Sequence, residues 1–319
     1  MYDVVIIGAG PAGMTAAVYC ARKKLSTLLL SKDVGGQTLW TNDIENYMGY
    51  QFIEGPELVE KFEQQVRQFP IDVKIEEDVV GLTKVDGGFE VLTASGGTYR
   101  AKAAIIASGK RPRSLGVPGE ERLRGRGVTY CATCDGPLYE GLKVAVIGGG
   151  NSAAEAVLDM LKIAAHVYMV SLTPLTCDQL LVERFKENST LTVYAEHATQ
   201  EVLGGPLVSG IRIKDLKSGE ERILEVSGVF VEIGLVPNSD FVKDLVELSG
   251  PGEIEVSCAG ETAVSGLFAA GDVTNVPEKQ IVVAAGEGAK AALQAYRFLQ
   301  RLTSPTLTKP FRGTARDAP

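Results

Sequence analysis

The sequence predicts a three-layer α/β protein made of two Rossmann-like dinucleotide-binding folds, the second inserted in the first. Three observations carry this expectation. A strand, a glycine turn and a helix open the chain. The same pattern returns 140 residues later. An apolar strand ending in Gly271-Asp272 follows the second pattern and belongs with the first only if the second fold interrupts it.

The first strand is the apolar run Tyr2–Ile7. Gly8-Ala9-Gly10-Pro11-Ala12-Gly13 follows, then an Ala-rich helix to about Lys24, then a strand at Leu28–Leu30. In a βαβ dinucleotide fingerprint the first glycine permits the tight turn. The second lets a pyrophosphate approach the backbone, and the third packs helix on strand. The helix N-terminus attracts the phosphates. The second pattern runs from Val144–Ile147 through Gly148-Gly149-Gly150-Asn151-Ser152-Ala153 and a helix to about Ile163 to a strand at His166–Val170. This turn is read either as a second nucleotide site or as an inherited packing turn. The third signal, Leu267-Phe268-Ala269-Ala270-Gly271-Asp272, places a carboxylate where it can accept ribityl or ribose hydroxyls, and a long helix is expected over 283–301. The expected domains are 1–114 with 243–302, 115–242 inserted between them, and a tail at 303–319. Prolines near both crossings (Pro112, Pro118 and the stretch 237–243) suit hinge linkers.

Composition bounds the rest. The 319 residues hold 45% apolar and 23% charged residues, as expected of a globular protein able to form two domains. A net charge of −8 argues against nonspecific nucleic-acid binding. No apolar run reaches the ~18 residues of a membrane span. The chain enters its first strand at once, too short for a secretory signal and without its basic region and cleavage site. An odd number of cysteines with one close pair suits a reducing cytoplasm better than a disulfide framework, so a cytoplasmic location is expected.

Five cysteines, at 20, 131, 134, 177 and 258, include one close pair. Cys131-Ala132-Thr133-Cys134-Asp135 has the spacing of a redox dithiol, which can close and reopen as a two-electron switch. A zinc site needs a second close pair, and Cys177, Cys258, His166 and His197 are scattered, so no metal is expected. Cys20 sits among Ala16, Ala17 and Ala21 on the first helix and reads as core packing.

With these motifs in this order, the chain resembles the low-molecular-weight thioredoxin reductases over nearly all of residues 1–302. The resemblance is carried by Gly8–Gly13, Gly35-Gly36-Gln37, Ala107-Ser108-Gly109, Gly116–Gly119, Cys131–Asp135, Gly148–Ala153 and Gly271-Asp272. Asp43–Asn46 and Lys279–Val282 look equally like the flavoprotein component of alkyl hydroperoxide reductases. The resemblance implies a homodimer with one FAD per subunit. It places the flavin against Gly8, Gly10, Pro11, Ala12, Gly13, Gly36, Gln37, Asn46, Ala107, Gly109, Gly271, Asp272, Gln280 and Ile281. It implies that Cys134 faces the flavin, that Cys131 attacks the partner disulfide, and that Asp135 exchanges protons. The second domain swivels between flavin and partner in such enzymes. The partner is expected to be thioredoxin or a similar protein.

One departure bears on the electron donor. Members of the family place His-Arg-Arg after the strand that follows the second fingerprint, to clamp the 2′-phosphate of NADPH. This chain has Met169-Val170-Ser171-Leu172-Thr173-Pro174. Losing two charge-assisted hydrogen bonds of ~1.5–3 kcal/mol each weakens binding by roughly 10²–10⁴-fold. No acidic ribose clamp stands at Ser171–Thr173 either, and Asn151 replaces the aspartate of many relatives. If Gly148, Gly150, Asn151, Ser152 and Ala153 hold a nucleotide, it is not expected to be NADPH. The chain resembles the branch that takes electrons from ferredoxin. Six basic residues in 110–126 against Glu120 and Glu121 form a candidate surface for an acidic donor, or a solvated linker. Phe311, the lone aromatic of the tail, is a candidate flavin cover. Trp40 and Tyr47 either flank the flavin or pack.

The expected activity is therefore FAD-dependent disulfide reduction through Cys131–Cys134, with ferredoxin favoured as donor. The alternatives are a conventional NAD(P)H-linked enzyme, a flavoprotein oxidising partner thiols in reverse, a non-catalytic flavin sensor, and the hydroperoxide-reductase flavoprotein. The last normally carries a further N-terminal dithiol domain, which counts against it here.

Overall fold

The computed structural model describes residues 1–41 and 43–303. Phe311 lies outside the described residues, as does the side chain of Trp40. The chain divides into two compact units. One takes Met1–Val34, Phe62–Gly109 and, of the described residues, 237–303; the other takes Gly35–Lys61 and Lys110–Val236.

The first unit is built on a seven-stranded sheet. Its parallel half runs Asp72–Ile75, Thr27–Val34, Tyr2–Ala9, Thr98–Ile106. Thr98–Ile106 serves two partners along its far edge. Thr98–Ala101 pairs antiparallel with Gly88–Thr93, and Ala104–Ile106 pairs parallel with Leu267–Ala269. The edge strand Val79–Val85 joins Gly88–Thr93 through the tight turn Asp86-Gly87, a dipeptide suited to two-residue hairpins.

Side chains alternate across this sheet, and because both faces are covered the strands read as unbroken apolar runs. Val4, Ile6, Leu29, Ala103, Ile105 and Phe268 face the helices Pro11–Arg22 and Ile281–Thr303. Val5, Ile7, Leu28, Leu30, Ala104 and Ile106 face the other way, onto Val242, Val246 and Ile254. Burying each such side chain contributes about 1.5–3 kcal/mol. The two helices meet closely: a Cβ on Gly288 would lie 2.0 Å from the Ala12 carbonyl oxygen.

The second unit repeats the plan. Its five parallel strands run Val128–Thr129, Gly228–Val231, Lys143–Ile147, His166–Ser171, Leu191–Ala195. The helices Asn151–Met160 and Gln179–Phe185 cover one face. The antiparallel strands His197–Gly204, Val208–Asp215 and Glu221–Leu224 cover the other. A short ladder pairs Lys110–Pro112 with Leu235–Pro237.

Both three-layer units match the expected fold class. The basic stretch 110–126 offers less free charge than expected, because part of it serves the fold. The Arg122 guanidinium donates to the carbonyls of Gly205 and Gly204 at 2.8 and 3.0 Å. Arg124 pairs with Glu121 at 2.9 Å, stacks on Tyr130 and donates to its hydroxyl.

Candidate active site

The first glycine turn has the division of labour that a dinucleotide requires. Gly8 has φ +108°, and a Cβ there would stand 2.3 Å from the Ala107 oxygen. A Cβ on Gly13 would lie 1.8 Å from the Gly8 oxygen. A Cβ on Gly10 would meet nothing within 4 Å. Gly8 and Gly13 are thus closed by the protein itself, while Gly10 faces open space where a phosphate can approach. Pro11 starts the helix, where its missing N–H is no loss.

Of the other expected flavin residues, Ala107 adjoins this turn at Gly8 and Gly271 adjoins it at Ala12. A Cβ on Gly271 would lie 3.0 Å from the Ala12 Cβ, and Asp272 follows. Ile281 opens the long helix, preceded by Gln280, whose carbonyl accepts the Ala284 N–H at 2.9 Å. Ala107 donates its N–H to the Ile7 carbonyl at 2.7 Å, and the Gly109 carbonyl accepts from Asn238 at 3.0 Å. Gly36, Gln37 and Asn46 fall in the other unit, with Gly36 opening the turn Gly36–Trp40. Sequence reading missed Glu287, a buried carboxylate that accepts the Gly271 N–H at 2.8 Å. A carboxylate on the buried stripe of an Ala-rich helix was its available signal.

In the second unit Cys131 and Cys134 are joined as a disulfide, with Cα atoms 5.3 Å apart. Cys131 caps the turn Ala132–Asp135, and its Sγ accepts the Cys134 N–H at 3.2 Å. On reduction, that N–H stabilises a thiolate on Cys131. Asp135, the expected proton-exchanging group, is buried and accepts a hydrogen bond from Thr129 Oγ1. Thr129 Oγ1 also accepts the Cys131 N–H at 3.3 Å, so one hydroxyl ties both ends of the motif. The strand Asp43–Ile44 lies beside this turn. Tyr139 follows on the next turn and packs edge-on against Phe230, and burial pushes its hydroxyl up to about 12.

The second glycine turn is more enclosed than the first. A Cβ on Gly148 would lie 2.3 Å from the Glu232 oxygen, and one on Gly149 2.2 Å from Ser171 Oγ. A Cβ on Gly150 would have Thr176 Oγ1 at 3.9 Å. Residues 172–178 fold back here: Thr176 and Cys177 donate their N–H groups to the Gly149 carbonyl at 2.8 and 3.0 Å, and Asp178 donates to Asn151 Oδ1 at 2.8 Å. No lysine or arginine stands in 171–178.

Glu232, which no motif marked, links the second glycine turn to the dithiol turn of this unit. Its Oε2 accepts Ser152 Oγ at 2.5 Å, and its Oε1 accepts the Ala132 N–H at 3.4 Å. Burial holds its carboxyl above the ordinary range, outweighing the hydrogen bonds from Ser152 and Ala132 that pull it down.

Comparison with known proteins agrees with this geometry. Residues 2–288 match the family model described as "Pyridine nucleotide-disulphide oxidoreductase". An alkyl hydroperoxide reductase component of Pseudomonas putida is 45% identical over 308 residues, covering 95% of this chain and 59% of that protein. "NADH dehydrogenase" of Bacillus subtilis is 42% identical over 301 residues, covering 94% and 59%. The chain thus spans about three fifths of the length of these curated relatives. Thioredoxin reductase from Streptococcus pyogenes superposes with a TM-score of 0.89 at 37% identity, covering 94% of this chain and 98% of that one. A strand–turn–helix nucleotide fold, repeated around a closed Cys-x-x-Cys and matched over nearly its whole length, assigns the chain to the pyridine nucleotide-disulphide oxidoreductase family.

Proposed function

We propose that the chain is an FAD-dependent disulfide reductase that draws electrons from NADH in preference to NADPH and delivers them through Cys131–Cys134 to a small thioredoxin-like protein. In this reading residues 1–114 and 243–302 hold FAD and residues 115–242 carry the dithiol, and two copies form the enzyme. FAD, when bound, supplies a two-electron carrier between a nicotinamide and a disulfide. The open face at Gly10 supports its place there.

The protein's own residues complete the path. In this reading Cys134 would take the electrons that FAD supplies, and Cys131 would be released as the thiolate held by the Cys134 N–H. Cys131 attacks one sulfur of the partner disulfide, and the other partner sulfur leaves and takes a proton. Cys134 then attacks the mixed disulfide, which frees the second partner thiol and restores the Cys131–Cys134 bond. Asp135, buried beside the pair under Thr129, exchanges the protons.

The donor assignment rests on one observation: the segment 171–178 folded over the second glycine turn carries no cation. A 2′-phosphate would sit there without compensating charge. A 2′-hydroxyl would meet the neutral hydroxyls of Ser171, Thr173 and Thr176. Relatives named "NADH dehydrogenase" agree with this reading. The ferredoxin donor expected from the missing arginines finds no support among these relatives.

Anaerobic stopped-flow reduction decides the matter. NADH is expected to bleach the flavin at concentrations at least about tenfold below NADPH. Equal affinity for the two, or bleaching by reduced ferredoxin alone, overturns the donor assignment. A dithiol far more oxidising than thioredoxin's ~−270 mV would instead point to thiol oxidation in reverse.

A further inference from the structure

Glu232 belongs to the second glycine turn by its main chain. Its N–H donates to the Ile147 carbonyl at 2.8 Å, and its own carbonyl closes on Gly148. Its side chain then divides between two pieces of chemistry. One oxygen accepts from Ser152 on the first turn of the helix Asn151–Met160, the end at which a dinucleotide fold seats its pyrophosphate. The other accepts from the first residue of the dithiol turn.

We propose that Glu232 is a positioning residue that couples the nucleotide turn to the dithiol turn: a pyrophosphate arriving at Gly150–Ser152 competes with the ionised carboxylate for the same helix end, so nucleotide binds with uptake of a proton by Glu232. The proposal rests on the reading of the second turn as a nucleotide site. By linkage, the protonated carboxyl releases its ionic hold on the Ala132 N–H, and the state of one turn reaches the other.

The surroundings favour this direction. Glu155 on the same helix adds negative charge and pushes the Glu232 carboxyl further up. Asp135 lies on the dithiol turn, and Tyr139 beyond it is neutral. Asp178 stands on the segment folded over the turn. A cation, Arg113, stands near this strand end, its Nε 3.9 Å from where a Gly234 Cβ would be. Phosphates brought into this setting raise the carboxyl again. Affinity is then complete below the Glu232 value of the free protein and declines as pH rises towards its value in the complex.

The test titrates ADP-ribose, which cannot reduce flavin, into FAD-loaded enzyme in its disulfide form. Calorimetry in PIPES and in Tris, from about pH 6 to about pH 9, reads the protons taken up. Wild type is expected to take up as much as about one proton per ADP-ribose. Its affinity should fall about tenfold for each unit by which the ligand displaces the Glu232 value. Glu232→Gln, which keeps an acceptor for either donor, is expected to take up none and to bind with a flat pH profile. Binding without proton uptake by wild type, or uptake unchanged in Glu232→Gln, overturns the proposal while leaving the nucleotide site standing. Failure of both proteins to bind ADP-ribose overturns the nucleotide reading itself, and the coupling with it.

Discussion

A single methyl group at Gly10 separates the architectural from the ligand-binding role of the first glycine turn. Gly10 has an extended backbone, φ −79° and ψ −175°, which alanine adopts without strain. The added Cβ meets nothing within 4 Å. The apoprotein therefore keeps its stability within about 0.5 kcal/mol, or gains a few tenths from a stiffer unfolded chain. A pyrophosphate packed against that backbone must move aside, and crowding of this size costs about 1–3 kcal/mol. FAD binding should thus weaken by roughly 5–150-fold. Gly13→Ala is the control, because its Cβ would fall 1.8 Å from the Gly8 carbonyl oxygen, which is backbone and cannot swing away. That variant should lose more than about 3 kcal/mol with or without flavin. The assay pairs urea unfolding of the apoproteins with flavin retention on desalting and fluorescence titration. If Gly10→Ala binds FAD like wild type, or unfolds as readily as Gly13→Ala, the assignment of Gly10 to the ligand is wrong.

Three further outcomes are expected. Cys134→Ser and Cys131→Ser should each abolish turnover of a protein disulfide while keeping full flavin content, which absorbance and a coupled thiol assay report; residual turnover above about 1% would break the proposed path. Glu120 should support the loop before the dithiol. Burial alone would raise its carboxyl, but hydrogen bonds from Ser114, Leu115, Tyr130 and Gly116 win and hold it below the ordinary value. Its stabilisation is therefore present above the unfolded-state value of 4.5 and disappears as pH falls through the lower folded value. Glu120→Gln should cost about 1–3 kcal/mol in urea unfolding at neutral pH, with the gap to wild type closing in acid. The Cys20 thiol, pushed up to about 12 by burial, should resist alkylation at pH ~8 until the protein is denatured, while exposed Cys258 reacts in the native state, as peptide mass mapping will show.

Much of the fold was legible because it is local. The runs Tyr2–Ile7 and Val144–Ile147, each followed by glycines and an alanine-rich helix, declare a βαβ turn whatever surrounds them, and both strands, turns and helices formed within a few residues of expectation. The layers on the other faces were harder to read. The hairpin through Asp86-Gly87 and the antiparallel strands from His197 to Leu224 are half-exposed, with short and irregular alternation, and packing against the parallel sheet defines them. The segment Gly35–Lys61 lies within the first stretch of sequence, yet its contacts tie it to the second unit, beside the dithiol turn.

The sequence by itself determined the two nucleotide turns and the redox pair, since glycine spacing and a Cys-x-x-Cys are statements about backbone geometry over a few residues. Only the tertiary structure decided what surrounds them. Gly10 is open while Gly150 has a hydroxyl near it, because the second turn is overlaid by residues some 25 positions later in the chain. Glu287 and Glu232 are remote in sequence from the motifs they serve. Glu232 meets Ser152 and Ala132 because its strand ends between Val128–Thr129 and Lys143–Ile147, and Glu287 meets Gly271 because the helix Ile281–Thr303 packs on the strand Leu267–Ala269; buried polar groups must find partners wherever the fold puts them.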